Sequence, residues 1–192
     1  MKQILLLLTC IAFLSFTGKP VKDKISVPPT PPIAGVYLYS NNITTGAGNA
    51  GEGHPDEVPL AIDSGNATLP VSLGGGGNQA GTPQFGDIFI TKAFDITSLR
   101  LSSLIAHPVT KTFEIRYYNG VSTTPVYKMV LVNSFVTLAA RVKTDCQGSG
   151  CIGIKETYSF RFTTIEYHNL MLSPPQILTY NTATNNYTWS NN

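Results

Sequence analysis

Charge is scarce in this sequence. Only 12% of its 192 residues are Asp, Glu, Lys or Arg, and 13 basic residues face 11 acidic ones. A near-neutral chain has no broad basic patch for a phosphate backbone, so no nucleic-acid partner is expected. It also lacks the lysine-rich face of a helix that lies on a membrane surface. Histidine is limited to His54, His107 and His168, and cysteine to Cys10, Cys146 and Cys151. With no second Cys or His pair at short spacing, no zinc or other metal site is predicted. The longest apolar run, Ile4–Phe16, is well short of the ~20 residues that cross a bilayer as a helix, so stable membrane insertion is not expected.

Catalytic signatures are missing as well. Gly46, Gly48 and Gly51 fit the G-x-G-x-x-G spacing, but Glu52-Gly53-His54-Pro55 follows where a helix must open, so a dinucleotide site fails on context. The glycines at 74–77 have no Gly-Lys-Ser/Thr after them, which removes a P-loop. Gly-x-Ser-x-Gly and His-Glu-x-x-His are both absent. His54, Asp56 and Glu57 form the one polar trio with ligand chemistry, and in a polar loop such a trio reads as solvated. The expectation is a protein with no catalytic residues, no metal site and no cofactor.

The N-terminus sets the compartment. Lys2 supplies a basic start, Ile4–Phe16 an apolar run, and Ser15, Thr17 and Gly18 small residues before Lys19-Pro20. That order describes a secretory signal peptide over residues 1–18. Its removal takes away Lys2 alone, leaving 12 basic against 11 acidic residues. A secreted or periplasmic protein follows. Residues 19–33 form a linker stiffened by Pro20, Pro28, Pro29, Pro31 and Pro32. In an oxidising compartment, Cys146 and Cys151 are expected to close a small disulfide loop, with a pair of free thiols as the alternative.

Residues 34–192 carry a β-strand pattern. Gly35–Tyr39 reads as the first strand, followed by a loop rich in glycine and asparagine. Glu57–Ile62 reads as a second strand, placed at an edge or bulge by Pro59. Residues 74–83 read as a flexible glycine loop, and Asp87–Thr91 as a strand. Asp95 or Thr97 is positioned to cap a short helix carrying Leu99, Leu101, Leu104 and Ile105, ended by Pro108. Lys111–Tyr118 alternates, with Phe113, Ile115 and Tyr117 on one face and Glu114 and Arg116 on the other. Asn119-Gly120 marks a turn, Val126–Val132 a strand, and Asn133–Val142 a further strand. In Glu156–Tyr167, Phe160 and Phe162 have the opposite parity to Ile165 and Tyr167, which predicts a bulge near Thr163-Thr164. Tyr180–Trp189 reads as a terminal hairpin around Asn185-Asn186. Many short strands with one helix indicate a β-barrel or sandwich.

The segment Gly86–Ser98, through Phe89, Thr91-Lys92, Asp95 and Ser98, resembles the strand-to-helix entry of the haemolysin-coregulated protein (Hcp) family, the tube proteins of type VI secretion systems. Phe160, Phe162, Ile165, Glu166 and Tyr167 are similar to the texture of that family's final long strand. Leu178–Asn181 and Val36–Leu38 match its terminal segment and first strand. The resemblance spans roughly residues 34–188 and implies a mainly β fold, a small antiparallel barrel with one short α-helix. It further implies a homo-oligomer, six copies to a ring; an exported protein of this kind that forms rings or binds other exported proteins is the first expectation. A cleavable signal peptide departs from that family's pattern. A monomeric extracellular carbohydrate- or surface-binding β-domain is the alternative from a different class.

Overall fold

The computed structural model describes residues 34–48, 53–65, 67–68, 71–74, 77–81, 83–145 and 153–191. The N-terminal half holds eight short strands: β1 (Gly35–Tyr39), β2 (Val58–Pro59), β3 (Ile62–Ser64), β4 (Ala67–Thr68), β5 (Val71–Gly74), β6 (Gly77–Ala80), β7 (Gln84–Phe85) and β8 (Ile88–Ala93). Helix α1 (Thr97–Ala106) leads into β9 (Lys111–Tyr118) and the long β10 (Tyr127–Lys143). The chain then forms β11 (Ile154–Arg161), β12 (Thr164–Asn169), β13 (Gln176–Asn181) and β14 (Asn186–Asn191).

The organising element is a ribbon. β10 pairs along one edge with β12 through its first half and with β11 through its second. β9 pairs with the first half of β10 on the other edge and carries β1 and β2 beyond it. β13 and β14 extend β12, while β8 and β3 extend β11. One ribbon therefore serves two sheet halves, whose inner faces meet. Phe113 of β9 and Phe160 of β11, both fully buried, cross edge to face at 4.5 Å between ring centres. Leu38, Ile115 and Ile165 from one half join Ile88, Ile90 and Tyr158 from the other in a single apolar core, closed at one side by Leu101 and Leu104 of α1. The alternation in β9 produces this burial directly, since a period of two sends every second side chain inward.

The sheet is mainly antiparallel β, as expected, but it is not a closed barrel. Its strand path runs β14-β13-β12-β10-β11-β8-β3, and the ends do not pair. The strands at the other ends are too short to close it: β3 has three residues and β2 two, one of them Pro59 with no N–H to donate.

Two other departures have local causes. The expected break after Val132 is absent, and β10 runs 17 residues through it. Asn133 sits at φ +50° and shifts the register against β9 between Leu131 and Ser134, so the strand bulges without ending. Asparagine tolerates this left-handed conformation better than most residues. Asn133→Val is expected to lose about 1–2 kcal/mol, whereas Asn133→Gly stays within about 0.5 kcal/mol; urea unfolding of the two variants checks this. Secondly, residues 74–83 are not simply a loop. β5 and β6 pair from Val71↔Ala80 to Gly74↔Gly77, leaving two glycines between them, which is the length and composition of a tight hairpin connection. The parity change after Phe162 occurs where expected, with Ile165 fully buried beyond it, but no bulge forms there: Phe135↔Arg161 and Val132↔Thr164 keep one register against β10, and the shift falls between Val136 and Leu138 instead.

Candidate functional site

Two buried charge clusters fix the elements around the core. The first forms where β8 enters α1. Lys92 points inward from β8 and is completely buried. Its ammonium donates to Glu156 Oε2 (3.3 Å), Ser98 Oγ (3.1 Å) and the Ala93 carbonyl (2.8 Å), and lies 3.0 Å from Asp95 Oδ1. Glu156, on β11 and equally buried, accepts from Arg141 Nε at 2.7 Å. Asp95 Oδ1 in turn accepts from the Thr97 N–H (2.7 Å) and hydroxyl (2.6 Å), which satisfies the first turn of the helix. Burial pushes the Glu156 carboxyl up, but hydrogen bonds from Ser98 and Arg141 and the Lys92 charge outweigh it and hold the group below its ordinary value. The adjacent Tyr158 phenol, buried and near Glu156, is pushed up to about 12.

The second cluster lies on the outer face of β1 and β9. Loop residues 40–48 and 53–57 fold across that face and bury His54 and Glu57. His54 stacks on Tyr37 at 3.8 Å and meets Tyr118 edge-on at 4.5 Å. Its Nδ1 lies 2.5 Å from Glu57 Oε2, while Glu57 Oε1 accepts from Arg116 Nη1 (2.6 Å) and the Tyr118 hydroxyl (2.9 Å). Arg116 also donates to Glu114 at 2.7 Å and covers the Tyr39 ring at 3.7 Å. Burial opposes the Arg116 charge, yet Glu57 and Glu114 raise its pKa above the ordinary value. The Tyr118 phenol is raised too, by burial first and then by Glu57.

This arrangement corrects the reading of His54, Asp56 and Glu57 as a solvated trio. His54 and Glu57 are sealed together, while Asp56 points elsewhere and accepts the Gly46 N–H at 2.7 Å. Glycine is required at 48, since a Cβ there would overlap the His54 and Glu57 carbonyl oxygens. The partners Arg116 and Tyr118 were visible in the sequence only as the polar side of an alternating strand, with nothing to show that a loop covers them. Among the described residues no group of three or more His, Cys, Asp or Glu is placed to hold a metal ion. Cys146 and Cys151 lie outside the described residues, as do residues 1–18 and 19–33.

The charged groups that reach open cavities are already committed: Arg141 to Glu156, and Glu114, Arg116 and Tyr118 to one another and to Glu57. The surface offers apolar side chains instead: Leu99 on α1 (72% exposed), Val121, Met171, and Tyr187 and Trp189 on the edge strand β14. β14 is exposed along its whole length and pairs with β13 alone.

No protein-family model and no curated protein matches this sequence. Solved structures do match. Hcp1 from Salmonella typhimurium, 13% identical, superposes with a TM-score of 0.63 over 80% of this chain and 97% of that one. A structure described as a type six secretion system protein gives 0.67 at 14% identity, over 81% and 99% of the two chains. The fold is Hcp-like. Hcp3, a secreted protein from Pseudomonas aeruginosa, agrees at 16% identity, with a TM-score of 0.53 over 82% and 97%. Within the Hcp-like fold, the short motif that carried the sequence resemblance has a physical role. Lys92, Asp95 and Ser98 are the buried clamp between β8, α1 and β11. Phe89, by contrast, lies on the outer face of β8 and is partly exposed.

Proposed function

We propose that this chain is an exported structural protein whose copies assemble into rings, six to a ring, in a role related to type VI secretion. The observation that carries this reading is the extent of the likeness: the superpositions span 97–99% of the Hcp and type six secretion system chains, so nearly the whole of the matched proteins has its counterpart here. Exposed Leu99, Val121, Met171 and Trp189 support it, because apolar side chains left outside the core are what an association surface uses. The proposal is of a protein that binds copies of itself and other exported proteins and carries out no catalysis. It includes export through residues 1–18, a linker over 19–33, and a disulfide between Cys146 and Cys151. No helix among the described residues is long and apolar enough to cross a membrane.

A second reading, a monomeric carbohydrate- or surface-binding domain, is favoured by one feature. A cavity of about 450 Å³ is lined by Phe85, Phe89 and Phe162 with Asp87 and Arg161. Aromatic walls beside polar groups suit a sugar ring. The polar side is largely committed, however: Asp87 accepts from Ser159 (2.7 Å), Thr137 (3.1 Å) and Arg161 (3.0 Å). Negative-stain electron microscopy of the protein recovered from periplasm or medium separates the two readings. Rings with a central opening are the expected image; fields of single small particles at every concentration would favour the monomeric domain.

A further inference from the structure

The outer face of the larger sheet half carries a groove, lined at one end by Glu114, Arg116 and Tyr118 of the second cluster and open beyond them. Its floor is one cross-strand row, since Arg116 of β9 pairs with Lys128 of β10, Lys128 with His168 of β12, and His168 with Ile177 of β13. Its walls are the two loops at the same end of the sheet, through Thr124 and Pro125 on one side and Leu170 and Pro175 on the other, tied together by the Leu170 N–H donating to the Val126 carbonyl at 3.0 Å. The enclosed volume is about 590 Å³.

The occupant is suggested by where the chain enters the described structure. Ala34 lies against Gly120, close enough that a Cβ on Gly120 would stand 3.2 Å from the Ala34 Cβ. Gly120 belongs to the same β9–β10 loop that supplies Thr124 and Pro125. Ala34, where the described chain begins, thus sits on the loop that walls the groove. The sequence before it reads Ile25-Ser-Val-Pro-Pro-Thr-Pro-Pro-Ile33, uncharged and proline-rich.

We propose that residues 25–33 of this chain lie along the groove, as an extended polyproline strap across β9, β10, β12 and β13. Three physical points support that occupant. The floor is the face of a sheet, not its edge, so its backbone groups are used in the ladder and a bound segment gains no backbone pairing there. Prolines have no N–H to leave unpaired, and a polyproline helix carries no internal hydrogen bonds, which suits such a floor. Pro125, Leu170 and Pro175 on the walls and Ile177 on the floor offer apolar surface matched to proline rings and to Val27 and Ile33, while the floor charges Arg116 and Lys128 are already paired with Glu114. The lengths agree as well. β9 to β13 is three strand spacings, roughly 14 Å, and residues 28–33 in polyproline form reach roughly 19 Å.

The test uses the chain carrying residues 19–33 and trypsin, which cuts after Lys24. A synthetic peptide of residues 19–33 gives the rate for the undocked sequence. Cleavage in the protein is expected to be at least ten-fold slower than in the peptide. Ile177→Asp, on the floor, and Thr124→Arg, on the exposed rim, are each expected to return it to within two-fold of the peptide, with thermal melts showing that both variants are folded. A wild-type rate equal to that of the peptide would overturn the proposal. Slow cleavage that neither folded variant relieves would place the segment elsewhere and overturn the groove as its seat. Dilution resolves the source: protection that falls with protein concentration would mean a neighbouring copy supplies the segment, against the intrachain seat.

Discussion

Lys92→Met is expected to destabilise the protein by about 3–5 kcal/mol, the range for removing one partner of a buried ion pair. The ammonium it removes is the common donor to Glu156, Ser98 and the Ala93 carbonyl. Without it, a fully buried carboxylate keeps Arg141 as its remaining charged partner. In a chain of this size the loss corresponds to a fall in Tm of roughly 10 °C. The paired change Lys92→Met/Glu156→Leu should recover most of the loss, because removing both charges also removes their desolvation cost. Urea unfolding of the two single variants and the double variant measures the coupling directly. A loss below about 1 kcal/mol for Lys92→Met would mean that the clamp does not hold the helix to the sheet. The same cluster sets an acid limit. Glu156 has a folded pKa below its ordinary value of 4.5, so the stability it contributes is fully present above that value and is lost as pH falls through the lower folded pKa. Glu156→Gln should therefore flatten the acid limb of a stability-against-pH curve and leave its shape above pH ~5 unchanged.

Glu57→Ala is the second large effect, at about 3 kcal/mol or more. Its carboxylate meets the His54 ring, the Arg116 guanidinium and the Tyr118 hydroxyl in one buried place. Removing it strands His54 and Tyr118 and unfastens loop residues 53–57 from the outer face of β1 and β9. Hydrogen exchange should accelerate at the Gly48 amide, which donates to the Pro55 carbonyl within that loop, before the core opens. Tyr118→Phe removes one of these hydrogen bonds and should cost about 1 kcal/mol. Equal effects from the two variants would show that the phenol, not the carboxylate, holds the loop.

The legible parts of the fold are those where one residue type forces one geometry. Alternation in Lys111–Tyr118 gave β9 to the residue, and the parity change between Phe162 and Ile165 located the kink between β11 and β12. Asp95 and Thr97 were both readable as caps; the N-cap position falls between them at Ile96, with Asp95 accepting the N–H of Thr97, the first helical residue. Helix burial was half readable: Leu101 and Leu104 face the core, but Leu99 and Ile105 fall outside the stripe and are exposed. Long-range pairing was not readable. Nothing local to Glu156 says that it meets Lys92 across 64 positions of sequence, or that Glu57 meets Arg116 across 59. For the same reason Arg116 read only as the polar side of an alternating strand, although Glu57 from the loop before β2 pairs with it. Closure of the sheet also depends on whether distant edges meet, so a barrel and an open two-layer sheet have the same strand pattern.

The central claim is assembly, and its most direct test is the mass of the purified protein in solution by light scattering across a range of concentrations. The account predicts six chain masses, 20.7 kDa each before any cleavage, persisting on dilution. A single chain mass at the highest concentration reached would contradict it, leaving an Hcp-like fold in a protein that does not build rings.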